Sequence, residues 1–576
     1  MNETASAAFP QTEKLKRLFE TDWKATLQEY PVSATFAGEK GFDHLWTDQS
    51  FEAIEERAAR RRRVLVEIES IDPQAVEPAC RLDHELFLRR CREIARLDAF
   101  PEELLVMDQM KGPQQGIPRV LSQMRLHDAG DYENALERLR RAARLIDQER
   151  ALLERGLRSR VVPPAIALRG VPDQLQALIS CDLDRHPLLA AFRKFPEAVA
   201  PRDRPGLVAA AEAAVRDSVK PAYQRLSDFL RSEYLPQCRQ SVAWKDLPGG
   251  AEWYAAKVSV STSEQETAEG LHQLGLDEMR RIRAEMDEVI ASSGFVGGFE
   301  AFVTYLKTDD RFFHGSAEGL LAGYRDIAKR IDGELPRLFG KLPRLPYGVQ
   351  PIPEHAAPSR PTAFYLRGSQ KGGRSGTFFA NTYDLRARPK WEMEPLTLHE
   401  AVPGHHLQIS LAQELDGLPE FRKHAHHLAY TEGWGLYAES LGSELGLYAD
   451  PYARFGQLVF EMWRAVRLVV DTGLHSFGWD RDRAIRFMLE STGKIEHDVV
   501  VEIDRYLVMP AQALAYKVGE LAIRELRRRA SEELGAAFEL RAFHDVVLEQ
   551  GALPLDVLRR RIGEWIATCQ EPAPAA

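Results

Sequence analysis

The sequence predicts a mainly α-helical fold, with one small β element set beside an active-site helix. Three observations predict it. Apolar residues recur at three- and four-residue steps along most of the chain, Pro and Gly gather into a few breaks, and one segment pairs two aromatic-rich runs across a Gly/Ser/Lys turn. Taken in order, the run Ala58–Arg63 (AARRRR) reads as an exposed helix surface, and His84-Glu85 as a surface pair. From Glu133 to Arg160, Leu136, Leu139, Ala142, Leu145 and Ile146 form the apolar stripe of an amphipathic helix. Breaks follow at Pro163-Pro164, Pro201–Pro205 and Leu247–Gly250, and a longer one at Leu342–Pro361. Ser263 and Glu266 have the spacing of a capping box for a helix through TAEGLHQLGLDEMRRIRAEMDEVI. PTAFYLRGSQKGGRSGTFFANTYD, Pro361 to Asp384, reads as a hairpin. These breaks suggest an N-terminal helical region (1–250), a helical connection (251–360), a catalytic region (361–570) and a frayed tail (571–576), or one intertwined catalytic fold.

Composition narrows the function. With 44% hydrophobic and 28% charged residues, the chain is an ordinary globular protein, and 576 residues suggest roughly two to four packing units. Lys plus Arg is 76 against 86 Asp plus Glu, a net charge of −10, which argues against nucleic acid as the main partner. Five dispersed cysteines form no C-x-x-C pair, as expected in a reducing compartment. No apolar run has the length of a signal-peptide core or of a membrane span, so the expectation is a cytoplasmic protein that binds no membrane. Nothing in the sequence reports oligomeric state.

The chemistry concentrates in EMEPLTLHEAVPGHHLQISLAQEL, from Glu392. H-E-x-x-H places two imidazoles one helical turn apart, with the Glu beside a metal-bound water. Here the fourth residue after His399 is Pro403, and the plain motif fails. Pro403 lacks a backbone donor and Gly404 tolerates unusual dihedrals, so the helix can bulge or restart and return His405 to the face of His399. His406 is the rival second ligand, but seven residues along an unbroken helix rise ~10.5 Å, too far for one ion with ~2.0–2.1 Å bonds. A third ligand is expected from the following helix, read as FRKHAHHLAYTEGWGLYAESLGSELG. Glu432 is the candidate, because Gly433 lets another backbone approach, and Glu439 on the same face could orient an imidazole. His424, His426 and His427 are read as surface histidines unless the site recruits them.

Arg464, Arg467, Asp471 and His475 share one face of RAVRLVVDTGLH. They read either as an ion-pair stripe or as a polar cleft wall in which His475 donates to an oxyanion and an arginine holds a substrate carboxylate. RYLVMPAQALAYKVGEL adds Arg505, Tyr506, Gln512 and Tyr516, with Tyr516 the candidate oxyanion donor.

HEAVPGHHLQ, TEGWGLYAE, VDTGLH and RYLVMPAQALAYKVGEL together resemble the bacterial domain-of-unknown-function family eight-eight-five. The similarity runs from PVSATFAG at Pro31 to the helix at Tyr516 and is densest after Ser375. Family members look like distant relatives of zinc peptidases with a glutamate third ligand, and are often labelled X-Pro dipeptidyl-peptidases or lipoproteins. The resemblance implies a helical, zincin-like, cleft-forming metallopeptidase and a peptide or peptide-like substrate. It points to Zn²⁺ held by His399, His405 and Glu432, with Glu400 as general base. Two departures stand out: Pro510-Ala511-Gln512 replaces an expected Pro-Gly-Gln, and the N-terminal residues do not read as the secretory segment of the lipoprotein members, so the periplasmic role of those members is not expected here.

The expected reaction is peptide-bond hydrolysis. Glu400 takes a proton from the attacking water, and Tyr516 and His475 stabilise the oxyanion. The strand Thr377–Tyr383, with Asn381, supplies hydrogen bonds to an extended substrate, and Arg467 and Arg505 bind its charge. The alternatives are a metal-dependent hydrolase of a non-peptide amide, and a metal-free helical binding protein with a vestigial site.

Overall fold

The computed structural model describes residues 9–263, 266–354 and 357–571. It is mainly helical, with one three-stranded sheet. The amphipathic stretch near residue 133 is the helix α1 (Ala129–Ser159), capped by the Asp128 carboxylate, and all five predicted stripe residues are buried. α2 (Ala268–Ser292) and α3 (Ala317–Leu338) precede the sheet. The strands are β1 (Tyr347–Pro351), β2 (Ala363–Leu366) and β3 (Gly376–Ala380). Then come α4 (Met393–Glu400), α5 (His405–Glu414), α6 (Leu428–Ser440), α7 (Pro451–His475), α8 (Glu496–Val508) and α9 (Ala515–Leu534).

The predicted hairpin is present: β2 and β3 pair antiparallel, Phe364 opposite Phe379. The sequence reading missed β1, which lies inside the expected break at Leu342–Pro361 and pairs parallel to β3. β3 is therefore the central strand, bonded on both edges, and cannot add a peptide as expected of Thr377–Tyr383.

Other local expectations are corrected. The cap of α2 is Thr267, whose hydroxyl accepts from Gly270 N–H, while Ser263 ends the preceding helix in a left-handed conformation. The run Ala58–Arg63 is not simply solvated: Arg60 pairs with Asp22 and Glu29, and Arg61 with Asp98, so two of its four arginines tie helices together. His84 is buried with Nε2 on the Ile71 carbonyl, although Glu85 does face outward to Arg560. Of the expected tail, residues 572–576 lie outside the described residues.

The apolar cores cut across the expected boundary at 250. Leu15–Cys91 side chains share a core with residues of α3, the sheet, α4 and the C-terminal helices. Residues between Met107 and Cys238 build a second core of their own. At the centre runs α7, in which every residue except Pro451, Tyr452 and Arg454 is buried. A helix buried all round must pair the charges it carries. Glu461 does so through the fully buried Lys517, whose ammonium lies 2.8 Å from Glu461, 2.9 Å from Glu278 and 2.9 Å from Glu520. This one cation joins α2, α7 and α9.

α6 and α9 cross at backbone contact. A Cβ on Gly433 would stand 2.4 Å from the Gly519 carbonyl carbon, and one on Gly519 would stand 1.7 Å from the Ala429 oxygen. Gly433→Ala is therefore expected to destabilise by about 1–3 kcal/mol or more through overpacking. Gly333→Ala, at an open position in α3, is expected to stabilise by roughly 0.5–1 kcal/mol on helix propensity alone. Urea unfolding of the two variants checks the contrast, and equal effects would mean that the α6–α9 contact is looser than described.

Candidate metal centre

α4 ends at Glu400 and α5 begins at His405, so the chain breaks and restarts instead of bulging. Pro403 cannot donate, and Gly404 passes over the end of α4 so closely that a Cβ would lie 2.0 Å from the His399 oxygen. Trp434 Nε1–H donates to the Pro403 carbonyl at 2.8 Å, which pins the break against α6. The result turns His405 back towards His399, their rings 4.7 Å apart and nearly perpendicular.

α6 carries Glu432 to the same point. One ligand atom each from His399, His405 and Glu432 lies within 4.8 Å of the others, and the three side chains are largely shielded from solvent. Glu432 Oε2 is 3.5 Å from His405 Nε2 and 3.8 Å from His399 Nε2. Those distances are long for hydrogen bonds, and Glu432 Oε2 is buried without a partner. Donors each ~2.0–2.2 Å from one tetrahedral ion stand roughly 3.3–3.6 Å apart, so the orphaned oxygen and two nitrogens fit a His₂Glu zinc set.

Electrostatics agree. Burial opposes charge on Glu432, but the His399 and His405 imidazoles outweigh it and hold the carboxyl well below the ordinary range. Burial likewise opposes protonation of His399, yet Glu432, Glu439 and Glu400 raise it to about 9. Three carboxylates around one imidazole make a place suited to positive charge. Glu439 takes the expected orienting role: His399 Nδ1–H donates to it at 2.8 Å, which turns Nε2 towards Glu432. Arg464 holds Glu439 from behind at 3.1 Å, a contact no spacing rule revealed. Gly435 also went unread. A Cβ there would come 2.7 Å from the His399 ring, so α6 supports the imidazole directly.

His406 turns away. Its Nε2–H donates to the Leu345 carbonyl at 2.9 Å and its Nδ1 accepts from Tyr365, fastening α5 to the sheet. The expected single helix after Asp416 is in fact two, Glu420–Lys423 and α6, with His424, His426 and His427 in the connection.

Glu400, Tyr516, Arg467 and Arg505 line a cleft of about 290 Å³ together with the three candidate ligands. Tyr516 stacks on His399, ring centroids 6.1 Å apart, and its hydroxyl accepts from Gln512 Nε2. Two expected site residues lie elsewhere. His475 is fully buried, donates to the Tyr506 carbonyl and accepts from Trp244 N–H, so it has no hydrogen left for an oxyanion. Asn381 is buried too, and its amide donates to the carbonyls of Ala357, Arg360 and Pro361. It braces the loop before β2 and leaves no donor for substrate. Asp471 belongs to the structural part of the stripe. It accepts from Tyr254 and from Ala511 N–H, and burial pushes its carboxyl up to about 7. Ala511 itself is left-handed, φ 66°, which explains why glycine was expected there.

The site and fold together define a mainly helical protein with a cluster of two histidines and a glutamate beside a small sheet. The sequence matches the DUF885 family, described as a bacterial protein of unknown function, over residues 31–562, and the chain belongs to it. A candidate lipoprotein from Colwellia psychrerythraea superposes with a TM-score of 0.91 at 29% identity, covering 96% of this chain and 99% of that one. A candidate lipoprotein of unknown function from Shewanella oneidensis shares the fold, with a TM-score of 0.67 at 16% identity and coverage of 95% and 99%. No curated protein matches. Among the described residues, no helix is long and apolar enough to cross a membrane.

Zinc-reconstituted protein is expected to hold about one ion per chain by elemental analysis. His399→Ala, His405→Ala and Glu432→Ala are expected to abolish binding, and Glu439→Gln to weaken it by roughly 10–100-fold. His406→Gln, which keeps a donor towards Leu345, should retain the ion. Loss of zinc in this last variant alone would reverse the ligand assignment.

Proposed function

We propose that this protein is a zinc-dependent hydrolase of peptide bonds. The observation that carries the proposal is the convergence of His399, His405 and Glu432, with Glu400 on the same cleft. A zinc ion bound there would polarise the scissile carbonyl and lower the pKa of water towards ~7.

The chain's own groups supply the remaining steps. Glu400 accepts the proton of the attacking water on its carboxylate and passes it to the leaving nitrogen. Tyr516 donates its hydroxyl hydrogen to the oxygen on which charge develops. Burial, reinforced by nearby Glu432, raises its pKa and keeps that hydrogen in place. β2 is an edge strand of the sheet, and Ala363, Phe364 and Tyr365 line the cleft, so its outer edge can align an extended peptide in place of the central strand β3.

Glu400→Gln is expected to keep about one zinc ion while losing roughly 10²–10⁴-fold in turnover of a peptide panel. Tyr516→Phe is expected to lower kcat by roughly 10²–10³ with zinc retained. Wild-type turnover by a zinc-loaded Glu400→Gln variant would overturn the general-base role.

A further inference from the structure

Beyond the ligands, the cleft wall carries an excess of fixed positive charge. Arg467 and Arg505 both lean on one carboxylate: Glu502 Oε2 is 3.2 Å from Arg467 Nη2 and 2.9 Å from Arg505 Nη2. Of the other charges facing this wall, Asp498 is matched by Arg388, Lys494 by Glu392 and Arg464 by Glu439, and the one free carboxylate among the described residues there, Glu400, is the general base assigned above. Arg360, on the loop before β2, also lines the cleft and has no ion pair or side-chain hydrogen bond among the described residues.

Arg467 is the most constrained of these groups. It is only 6% exposed; its Nε–H donates to Tyr506 at 2.8 Å and its guanidinium lies 4.3 Å from the Tyr516 ring centroid. Its Nη1 is buried without a partner. A buried guanidinium nitrogen left unpaired is costly, and a carboxylate is the complement of its planar fork. Position fixes the reach. The Tyr516 ring centroid lies 4.3 Å from the guanidinium and 6.1 Å from the His399 ring centroid, so guanidinium and imidazole are separated by no more than about three extended residues at ~3.3–3.6 Å each.

We infer that Arg467, with Arg505 beside it, binds a carboxylate of the substrate one or two residues beyond the scissile bond, and that this carboxylate is the peptide's free C-terminus. This deepens the hydrolase reading and rests on it: the protein would release one or two residues from C-terminal ends. An acidic side chain offers the same chemistry, so the test must separate the two sources.

The test uses zinc-loaded full-length protein and N-acetylated tripeptides in three forms: free C-terminal acid, C-terminal amide, and amide with Glu as the last residue. Calorimetric binding to Glu400→Gln is expected to favour the free acid over the plain amide by about 10–100-fold, the range of a charge-assisted hydrogen bond to a buried cation. Hydrolysis by wild type should show at least the same preference in kcat/KM. In Arg467→Gln and Arg467→Lys the acid-over-amide ratio should fall to about threefold or less, with zinc content unchanged. Equal binding of acid and plain amide overturns the inference, and so does a Glu amide that binds as well as the acid. Acid-selective binding without hydrolysis in wild type would keep the carboxylate site and overturn the hydrolase reading instead.

Discussion

Helix α6 is held at backbone contact on one side and against an imidazole on the other, and the geometry of the site depends on that double constraint. Gly433 lets α9 approach until main chain meets main chain, and Gly435 lets the His399 ring lie against the helix. With both faces fixed, Glu432 has one direction in which to point, towards His399 and His405. Tyr516, on α9, is carried alongside the same ring by the same crossing. Supporting a site by packing of rigid helices holds its groups more tightly than loops can.

The cost of this arrangement is charge buried in a helical core. Glu432, Glu439, Glu461, Asp471, Glu502, Arg464, Arg467 and Lys517 are all buried. Buried ion pairs are weak contributors to net stability, but removing one partner leaves an unmatched charge and costs several kcal/mol. Most of these groups are matched closely, as Lys517 is by three carboxylates. Four of them keep one buried atom without a partner, Glu432 Oε2, Glu439 Oε2, Arg464 Nε and Arg467 Nη1, and of these residues Glu432, Arg464 and Arg467 line the cleft.

The stripe Arg464–Arg467–Asp471–His475 shows how one helix face serves two purposes. Its first half faces the cleft: Arg464 steadies Glu439, and Arg467 stacks on Tyr516. Its second half is structural. Asp471 fastens the turn at Ala511, and His475 bridges Trp244 and Tyr506. Periodicity could show that the four share a face, but which half meets the cleft depends on elements more than 200 residues away, such as Trp244 and Tyr254.

The sequence by itself determined the helical class, the β2–β3 hairpin and the family, and it singled out His399, His405 and Glu432, with Glu439 behind them, as the candidate cluster that the structure brings together. These were legible because helix periodicity, turn residues and the chemistry of His-Glu spacing act over a few residues. Only the tertiary structure decided the rest: that β1 makes β3 central, that His84, Asn381 and His475 are spent on backbone carbonyls, that Arg60 and Arg61 bind neighbouring helices, and that one core joins both ends of the chain. The physical reason is distance along the chain. A parallel strand pairing, a buried histidine's acceptor or a cross-helix ion pair is fixed by a partner that no local pattern encodes.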